Sequence, residues 1–269
     1  MALLDILGLS LLVALAYMIL AWLLSLAKKD ASIVDVFWGL GFVLLAAVYF
    51  VSTDGFIGRK VLMTSLVAIW GVRLSLHILS RNWGKGEDYR YRAWRERAGG
   101  RFWWASLFQV FLLQGLLLWV VSAPILGAQF YESPDELTVV DVLGTVVWGV
   151  GFVFEAVGDL QLARFKADPA NRGKVMRNGL WTYTRHPNYF GDATVWWGLF
   201  VIAAGTADGY WTFFGPLLMT FLLLRVSGVA LLERTQRASK PEYRDYVEST
   251  SAFIPWFPSG SKPPGTRRA

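Results

Sequence analysis

Residues 3–27 read LLDILGLSLLVALAYMILAWLLSLA, an apolar run in which Asp5 is the single charged side chain. A helix of about 20 such residues is long enough to cross the hydrocarbon core of a bilayer. The run therefore predicts a transmembrane helix rather than the buried helix of a soluble domain.

Six more apolar stretches of similar length follow the first. They lie near 32–51, 61–80, 103–126, 138–160, 188–206 and 210–233. The composition agrees, because 55% of the 269 residues are hydrophobic and 17% are charged, whereas about a quarter of the residues of a soluble domain are charged. Disordered, fibrous and ordinary soluble proteins are thereby excluded. We predict an all-α integral membrane protein whose seven transmembrane helices form one domain, 1–257, followed by a disordered tail, 258–269.

Lysine and arginine are distributed unevenly between the connections. Every second connection between the spans is rich in lysine and arginine, namely 28–30, 81–101, 161–187 and the part after 233. The connections between these hold only Arg59 and Lys60. An excess of basic residues marks the cytoplasmic side of a membrane protein. The pattern predicts an outside N-terminus and a cytoplasmic C-terminus, which an odd number of spans satisfies.

Polar side chains inside the spans fall at one depth. They come early in spans that enter from the cytoplasm and late in spans that return to it. The sets are Asp35; Arg73, His77 and Arg81; Glu155 and Asp159; Asn188 and Asp192; Arg225 and Glu233. Because charges are costly at membrane depth, we expect a polar pocket open to the cytoplasm. The alternative is a set of ion pairs between helices, such as Arg225 with Glu155 or Asp159, or Asp35 with Arg73.

Metal and thiol chemistry have little support in the sequence. The chain has no cysteine and only two histidines, His77 and His186. Disulfides, thiolate metal sites and cysteine nucleophiles are excluded. A histidine-rich metal centre needs more ligands than two imidazoles supply, so we predict no metal.

The stretch 168–191 is the most distinctive of the chain. Pro187 suits the first turn of a helix, whose free N–H groups and positive dipole end attract an anion. Arg185 and His186 stand directly before it. Other polar side chains of the stretch are Lys174 and Tyr189. Since the chain has neither a G-x-G-x-x-G motif after a strand nor a P-loop, helix ends and basic loops would have to hold a phosphate-bearing cofactor.

Several motifs together resemble a superfamily of integral membrane enzymes. They are Arg185-His-Pro-Asn-Tyr-Phe-Gly191, Leu231-Leu-Glu233-Arg234 and Lys240-Pro-Glu-Tyr-Arg-Asp-Tyr246. The superfamily contains steroid 5-alpha-reductases, sterol reductases and isoprenylcysteine carboxyl methyltransferases. A more specific resemblance, to the bacterial steroid 5-alpha-reductase-like family, covers nearly the whole chain. The further segments that carry it are SIVDVFWG at 32–39 and RNWGKGEDYRY at 81–91.

This resemblance implies NADPH-dependent reduction of a carbon–carbon double bond conjugated to a ketone, such as the C4=C5 bond of a 3-oxo-4-ene steroid. It implies cofactor-binding roles for Arg81, Asn82, Asp159, Lys166, Arg177, Asn188, Arg225 and Glu233. The basic motif stretch adds Lys174, Arg185, His186 and Tyr189 to this set. The chain departs from the eukaryotic members of the family at Glu155, Val229 and Glu233.

Asp35 is the candidate catalytic residue. Hydride delivery to the β carbon of an enone builds negative charge on the ketone oxygen, and a donor aimed at that oxygen lowers the barrier. A carboxyl group in an apolar helix can stay protonated and donate, and Asp35 is the carboxyl placed within the second span. Phe37 and Trp38 beside it can pack a flat apolar substrate. By the resemblance, Trp70 stands where family members have the tyrosine that pairs with their catalytic acid.

Three classes of function stay open at this point. A methyltransferase that uses S-adenosylmethionine on a lipophilic substrate shares the 185–191 motif. It needs no ligands for a 2′-phosphate and a pyrophosphate, so the basic residues of 161–187 favour the reductase. A scaffold without activity would leave the charges inside the spans without purpose. We therefore expect NADPH, a steroid-like substrate and membrane lipids as partners and no nucleic acid, in a bacterial inner membrane with the site open to the cytoplasm.

Overall fold

The computed structural model describes residues 1–226, 228–229, 232–233 and 242–258, and every regular element within these ranges is helical. The α-helices are α1 (Leu3–Lys28), α2 (Val34–Ser52), α3 (Ile57–Asn82), α4 (Tyr89–Ala98), α5 (Phe102–Ser106), α6 (Leu113–Val121), α7 (Ala123–Phe130), α8 (Val139–Ala167), α9 (Pro187–Ala204), α10 (Phe214–Phe221) and α11 (Tyr243–Ser249). π-helical turns follow α5 and α10, at Leu107–Leu112 and Leu222–Val226. The predicted tail, apart from Pro258, lies outside the described residues.

Six helical stretches among the described residues are long and apolar enough to cross a membrane. They are Leu3–Lys28, Ala31–Ser52, Ile57–Asn82, Tyr89–Phe130, Val139–Ala167 and Gly209–Val226. The predicted all-helical class is confirmed for the described chain, but the count of seven spans is not supported. The predicted span at 188–206 forms α9, whose 18 residues include Asn188 and Asp192. Both residues are polar, and α9 is not among the six stretches.

The chain divides into two compact units. The first unit contains Met1–Leu143 and Leu199–Gly215, and the second contains Gly144–Gly198 and the described residues after Gly215. Each unit buries charged side chains of its own. The single domain over 1–257 and the direction in which the helices cross the membrane stay predictions.

Two glycines allow α2 and α3 to touch in the first unit. A Cβ atom on Gly39 would lie 2.4 Å from the carbonyl oxygen of Gly71, and one on Gly71 would lie 2.6 Å from that of Gly39. A larger residue at either position would push the two backbones apart. Beside this contact the N–H of Leu40 donates to Ser75 Oγ at 3.2 Å. The packing fixes α2 against α3, and with it Asp35 in the first turn of α2.

In the second unit α8 packs against α9 along a seam of glycines. They recur at seven-residue intervals, as Gly144, Gly151 and Gly158 on α8 and as Gly191 and Gly198 on α9. A Cβ atom on Gly151 would lie 2.7 Å from the carbonyl oxygen of Gly191, and one on Gly198 would lie 2.8 Å from that of Gly144. Small residues let membrane helices approach closely. The seam holds the first turn of α9 against the middle of α8.

The residues just before the predicted third span, which begins at 61, belong to helix α3 and not to a connection. Arg59 and Lys60 lie in the first turn of α3, and both side chains are buried. Arg59 Nε donates to Asp141 Oδ1 at 2.8 Å. Its other nitrogens donate to the carbonyl oxygens of Pro134 (3.0 Å) and Glu136 (2.8 Å). Polar groups of the first unit are therefore buried at both ends of the α2–α3 hairpin, and not only at the end that contains Asp35.

Replacing Arg59 by leucine should destabilise the protein strongly, because the buried charge of Asp141 would lose the guanidinium that neutralises it. Removal of one member of a buried ion pair costs about 3–5 kcal/mol. The double variant Arg59→Leu/Asp141→Leu should recover part of that loss. Thermal unfolding in detergent measures both effects, with the exposed Arg164→Leu as the control. Equal melting temperatures for the wild type and Arg59→Leu would contradict this role of the pair.

Candidate functional site

Asp35 lies at the centre of a polar cluster in the first unit. Arg90 and Tyr91, the second and third residues of α4, both reach it. Arg90 Nη2 lies 3.2 Å from Asp35 Oδ2, and the Tyr91 hydroxyl donates to Asp35 Oδ1 at 2.9 Å. Each oxygen of the carboxylate is thus held by a different group. The arrangement pairs an acid with a phenol at the beginning of an apolar helix.

The loop before α4 is fastened to the turn before α2. Glu87 Oε1 accepts from the N–H of Ala31 at 2.8 Å and from Arg95 Nη2 at 2.8 Å. The N–H of Asp88 donates to Ser32 Oγ at 3.2 Å. Burial alone would raise the pKa of Glu87, but its bonds to Arg95 and to the Ala31 N–H outweigh burial and lower this pKa. These contacts set the position from which α4 reaches Asp35.

The sequence analysis missed Arg90 and Tyr91 as partners of Asp35. The structure gives Asp35 an ion pair with Arg90 instead of the pair with Arg73 that was the alternative. Both residues belong to the quoted segment RNWGKGEDYRY, so the signal was present in the sequence. Hydropathy did not mark them, because α4 lies before the apolar part of its span.

The predicted substrate residues lie among aromatic side chains of the first unit. The ring of Trp38 is 5.0 Å from that of Phe42, which is 5.7 Å from that of Trp70. Trp70 is fully buried, so its side chain belongs to the core of this unit. The Phe37 ring is 5.5 Å from that of Tyr17, whose hydroxyl donates to the Phe37 carbonyl at 3.0 Å.

Arg81 and Asn82, predicted to bind the cofactor, end α3 in the first unit. Arg81 is exposed and donates from Nε to Asn82 Oδ1 at 3.2 Å. The other predicted cofactor residues belong to the second unit. The predicted cofactor residues are therefore divided between the two units.

A second cluster forms around Glu233 in the second unit. Arg185 Nη2 lies 2.6 Å from Glu233 Oε1, and His186 Nε2 lies 3.5 Å from the same oxygen. The ring of His186 stacks on that of Tyr189, with centroids 5.7 Å apart. The Arg-His-Pro motif and the later glutamate thus meet in space, as parts of one cluster.

Arg185 is occupied by contacts within its own chain. Its Nη1 donates to the carbonyl oxygens of Val247, at 3.1 Å, and of Thr250. Its backbone N–H donates to the carbonyl of Ser251 at 2.9 Å. The sequence analysis placed Arg185 beside a bound anion. In the structure this guanidinium holds Glu233, the end of α11 and the residue after it.

Asn188 joins α9 to α8 beside this cluster. Its Nδ2 donates to Asp159 Oδ1 at 3.0 Å. A Cβ atom on Gly158 would lie 3.2 Å from the Asn188 nitrogen, so the glycine seam makes this approach possible. Asn188 Oδ1 is buried and, among the described residues, receives no hydrogen bond. A buried acceptor of this kind is available to a donor from outside the chain.

The basic segment between α8 and α9 has exposed lysines, and an arginine near its end that contacts the chain around α11. Lys166 and Lys174 have exposed side chains. Arg177 donates to the carbonyl of Glu242, and its guanidinium lies 5.4 Å from the ring centre of Tyr246. Arg225, in the π-helical turn after α10, is exposed as well.

Residues 21–250 match the model of a family described as "Protein of unknown function (DUF1295)". The chain belongs to this DUF1295 family. The family is part of the steroid 5-alpha-reductase-like superfamily, so the resemblance of the motifs is confirmed at the level of the superfamily. DUF1295 membership indicates a membrane enzyme and leaves open whether the reaction is a reduction or a methyl transfer.

A shorter similarity accompanies the DUF1295 match. A 62-residue stretch is 37% identical to "Probable O-methyltransferase ustE" of Ustilaginoidea virens, and it covers 23% of this chain and 22% of that protein. The chain therefore matches less than a quarter of that relative's length. No solved structure gives a significant match.

The cluster around Glu233 should make stability depend on acidity. Burial would raise the pKa of Glu233, but the neighbouring His186 ring and the Arg185 guanidinium outweigh burial and hold this pKa at about 2. Because this pKa is lower in the folded protein than the ordinary value of 4.5, ionised Glu233 stabilises the fold at pH values above 4.5. The stabilisation disappears as the pH falls toward 2.

We therefore expect Glu233→Gln to lower the melting temperature at neutral pH and to flatten its decline below pH 4.5. Melting curves in detergent over this acid range measure the effect. Glu96→Gln, at an exposed position, serves as the control. Parallel pH profiles for the wild type and Glu233→Gln would show that the ion pair does not contribute.

Proposed function

We propose that this DUF1295 protein is an NADPH-dependent membrane reductase that reduces the C4=C5 bond of 3-oxo-4-ene steroids or of similar lipophilic enones. The hydrogen bond between Tyr91 and Asp35 carries the proposal. Reduction of an enone needs a donor for the negative charge that develops on the ketone oxygen. An acid and a phenol that share a hydrogen bond at the start of an apolar helix form such a donor.

The two groups have distinct roles in this mechanism. In the structure the Tyr91 hydroxyl donates to Asp35 Oδ1. In the reaction this hydroxyl would turn to the ketone oxygen of the substrate and give it its proton, while a protonated Asp35 donates a proton to the Tyr91 oxygen in turn. The enol that results tautomerises to the saturated ketone. Arg90, 3.2 Å from Asp35 Oδ2, holds the carboxyl group in place. The aromatic rings of Phe37 and Trp38 offer flat apolar surfaces that suit a steroid.

The residues of the second unit fit a nicotinamide dinucleotide. The unsatisfied Asn188 Oδ1 can accept from the carboxamide of a nicotinamide, and Asp159 orients that side chain. Exposed Lys166 and Lys174 can pair with phosphate groups, including a 2′-phosphate. Bound NADPH would supply the hydride for the β carbon of the enone.

The proposal includes a topology and a location. We infer that α9 completes seven spans, with the N-terminus outside and the C-terminus in the cytoplasm of a bacterial inner membrane. The basic connections support this orientation through the positive-inside rule. A lipophilic substrate then arrives from the bilayer and a charged dinucleotide from the cytoplasm.

A second candidate is methyl transfer from S-adenosylmethionine. The similarity to the probable O-methyltransferase favours it over 62 residues. A methyl transfer builds no negative charge on a ketone, so it gives the pair of Asp35 and Tyr91 no role. It also needs no ligand for a 2′-phosphate. For these two reasons the reductase is the better explanation of the structure.

Ligand binding separates the two candidates directly. A ligand that binds only the folded state raises the melting temperature. We expect NADPH to stabilise the purified protein more than NADH does, and S-adenosylmethionine to have no effect. Lys166→Ala/Lys174→Ala should reduce the preference for NADPH over NADH, whereas the exposed Arg97→Ala in the first unit should preserve it. Stabilisation by S-adenosylmethionine alone would overturn the proposal.

Substitutions of Asp35 and Tyr91 should reduce turnover without weakening cofactor binding. Loss of one donor to a developing oxyanion costs on the order of 10²–10³ in rate, so Asp35→Ala and Tyr91→Phe should each lose activity on this scale. NADPH titrations should stay unchanged. Tyr89→Phe removes a neighbouring hydroxyl on an exposed side chain and should retain full activity. Activity per folded molecule is the measurement, and near-normal turnover of Tyr91→Phe would refute the mechanism.

A further inference from the structure

The two faces of α4 differ in what they contact. The inner face holds Arg90 and Tyr91 on Asp35 and Arg95 on Glu87. The guanidinium of Arg95 also lies 4.2 Å from the ring centre of Phe102. Trp94 packs on the same Phe102 ring, with ring centres 5.5 Å apart, so the helix is held against the rest of the first unit.

The exposed charged side chains of α4 and of the residues beside it are mostly basic. Lys85, Arg92, Arg97 and Arg101 are exposed, and Glu96 is the acidic side chain exposed among them. We name these four basic residues the α4 basic face. Four positive charges against one negative charge attract an anion, and water screens the attraction only in part at a membrane surface.

Two exposed tryptophans indicate the depth of the α4 basic face in a bilayer. Trp103 and Trp104 follow Arg101 directly and are 56% and 44% exposed. The helical stretch that contains them, Tyr89–Phe130, is apolar enough to span a membrane. Tryptophan is enriched where a span leaves the hydrocarbon for the headgroups. The basic face therefore lies at the level of lipid phosphates.

We propose that the α4 basic face is a binding site for anionic phospholipids of the surrounding bilayer. Their phosphates pair with the arginines, and their acyl chains lie along the exposed tryptophans. The occupant follows from charge and position together: the surface is positive, and it adjoins a membrane span. The site is separate from the Asp35 cluster, although both use α4, and it does not depend on the reaction proposed above.

Thermal unfolding of the full chain in detergent, with added lipid, tests the site. Phosphatidylglycerol should raise the melting temperature more than the same amount of phosphatidylcholine, and added salt should weaken this difference. The variant Arg97→Gln/Arg101→Gln should bind phosphatidylglycerol on the order of tenfold more weakly. The control Arg164→Gln/Arg244→Gln removes two exposed charges from the second unit and should retain the full shift.

Three outcomes would overturn the proposal. The first is an equal shift with both lipids, and the second is an unchanged phosphatidylglycerol affinity in Arg97→Gln/Arg101→Gln. The third is a shift of the same size with inorganic phosphate, which would show a site for the free anion rather than for a lipid. Because the readout is lipid binding, none of these results depends on whether the protein reduces enones.

Discussion

A carboxyl group at the start of an apolar helix needs partners, because a charge at membrane depth is costly when nothing compensates it. Asp35 obtains them from α4, through Arg90 and Tyr91. That requirement determines much of the first unit. Glu87 fastens the loop before α4 to the turn before α2, and glycines let α2 lie directly on α3. The same contacts that satisfy the charge also fix the geometry of an acid beside a phenol.

The second unit uses its charges differently. Arg185, the first residue of the Arg-His-Pro motif, binds Glu233 and the carbonyl oxygens of Val247 in α11 and of Thr250 after it. This arginine therefore organises the chain around it. The first turn of α9 keeps a buried acceptor, Asn188 Oδ1, that the described residues leave unsatisfied. Neighbouring residues of a single motif thus hold the fold together and leave one buried acceptor unsatisfied among the described residues.

Hydropathy was sufficient to predict the helical class and most of the spans, because length and apolar composition are local properties of the sequence. At α9 the predicted span stays a prediction, because this helix is not among the six stretches that are long and apolar enough to cross a membrane, and its Asn188 is engaged by Asp159. Hydropathy misassigned Arg59, whose burial depends on Asp141, 82 positions along the chain. The partners of Asp35 were missed for the same reason, since Tyr91 lies 56 positions away. The motifs contain Arg185, Glu233 and Tyr91, and only the fold showed which side chains these residues contact.

The central claim is that this DUF1295 protein reduces an enone, and the product of the reaction tests it most directly. The purified protein is incubated with a 3-oxo-4-ene steroid, once with NADPH and once with S-adenosylmethionine, and the steroid is analysed by mass spectrometry. The account predicts a product that has gained two hydrogens, formed with NADPH and absent from the Asp35→Ala reaction. A methylated product formed with S-adenosylmethionine, and no reduced steroid with NADPH, would contradict it.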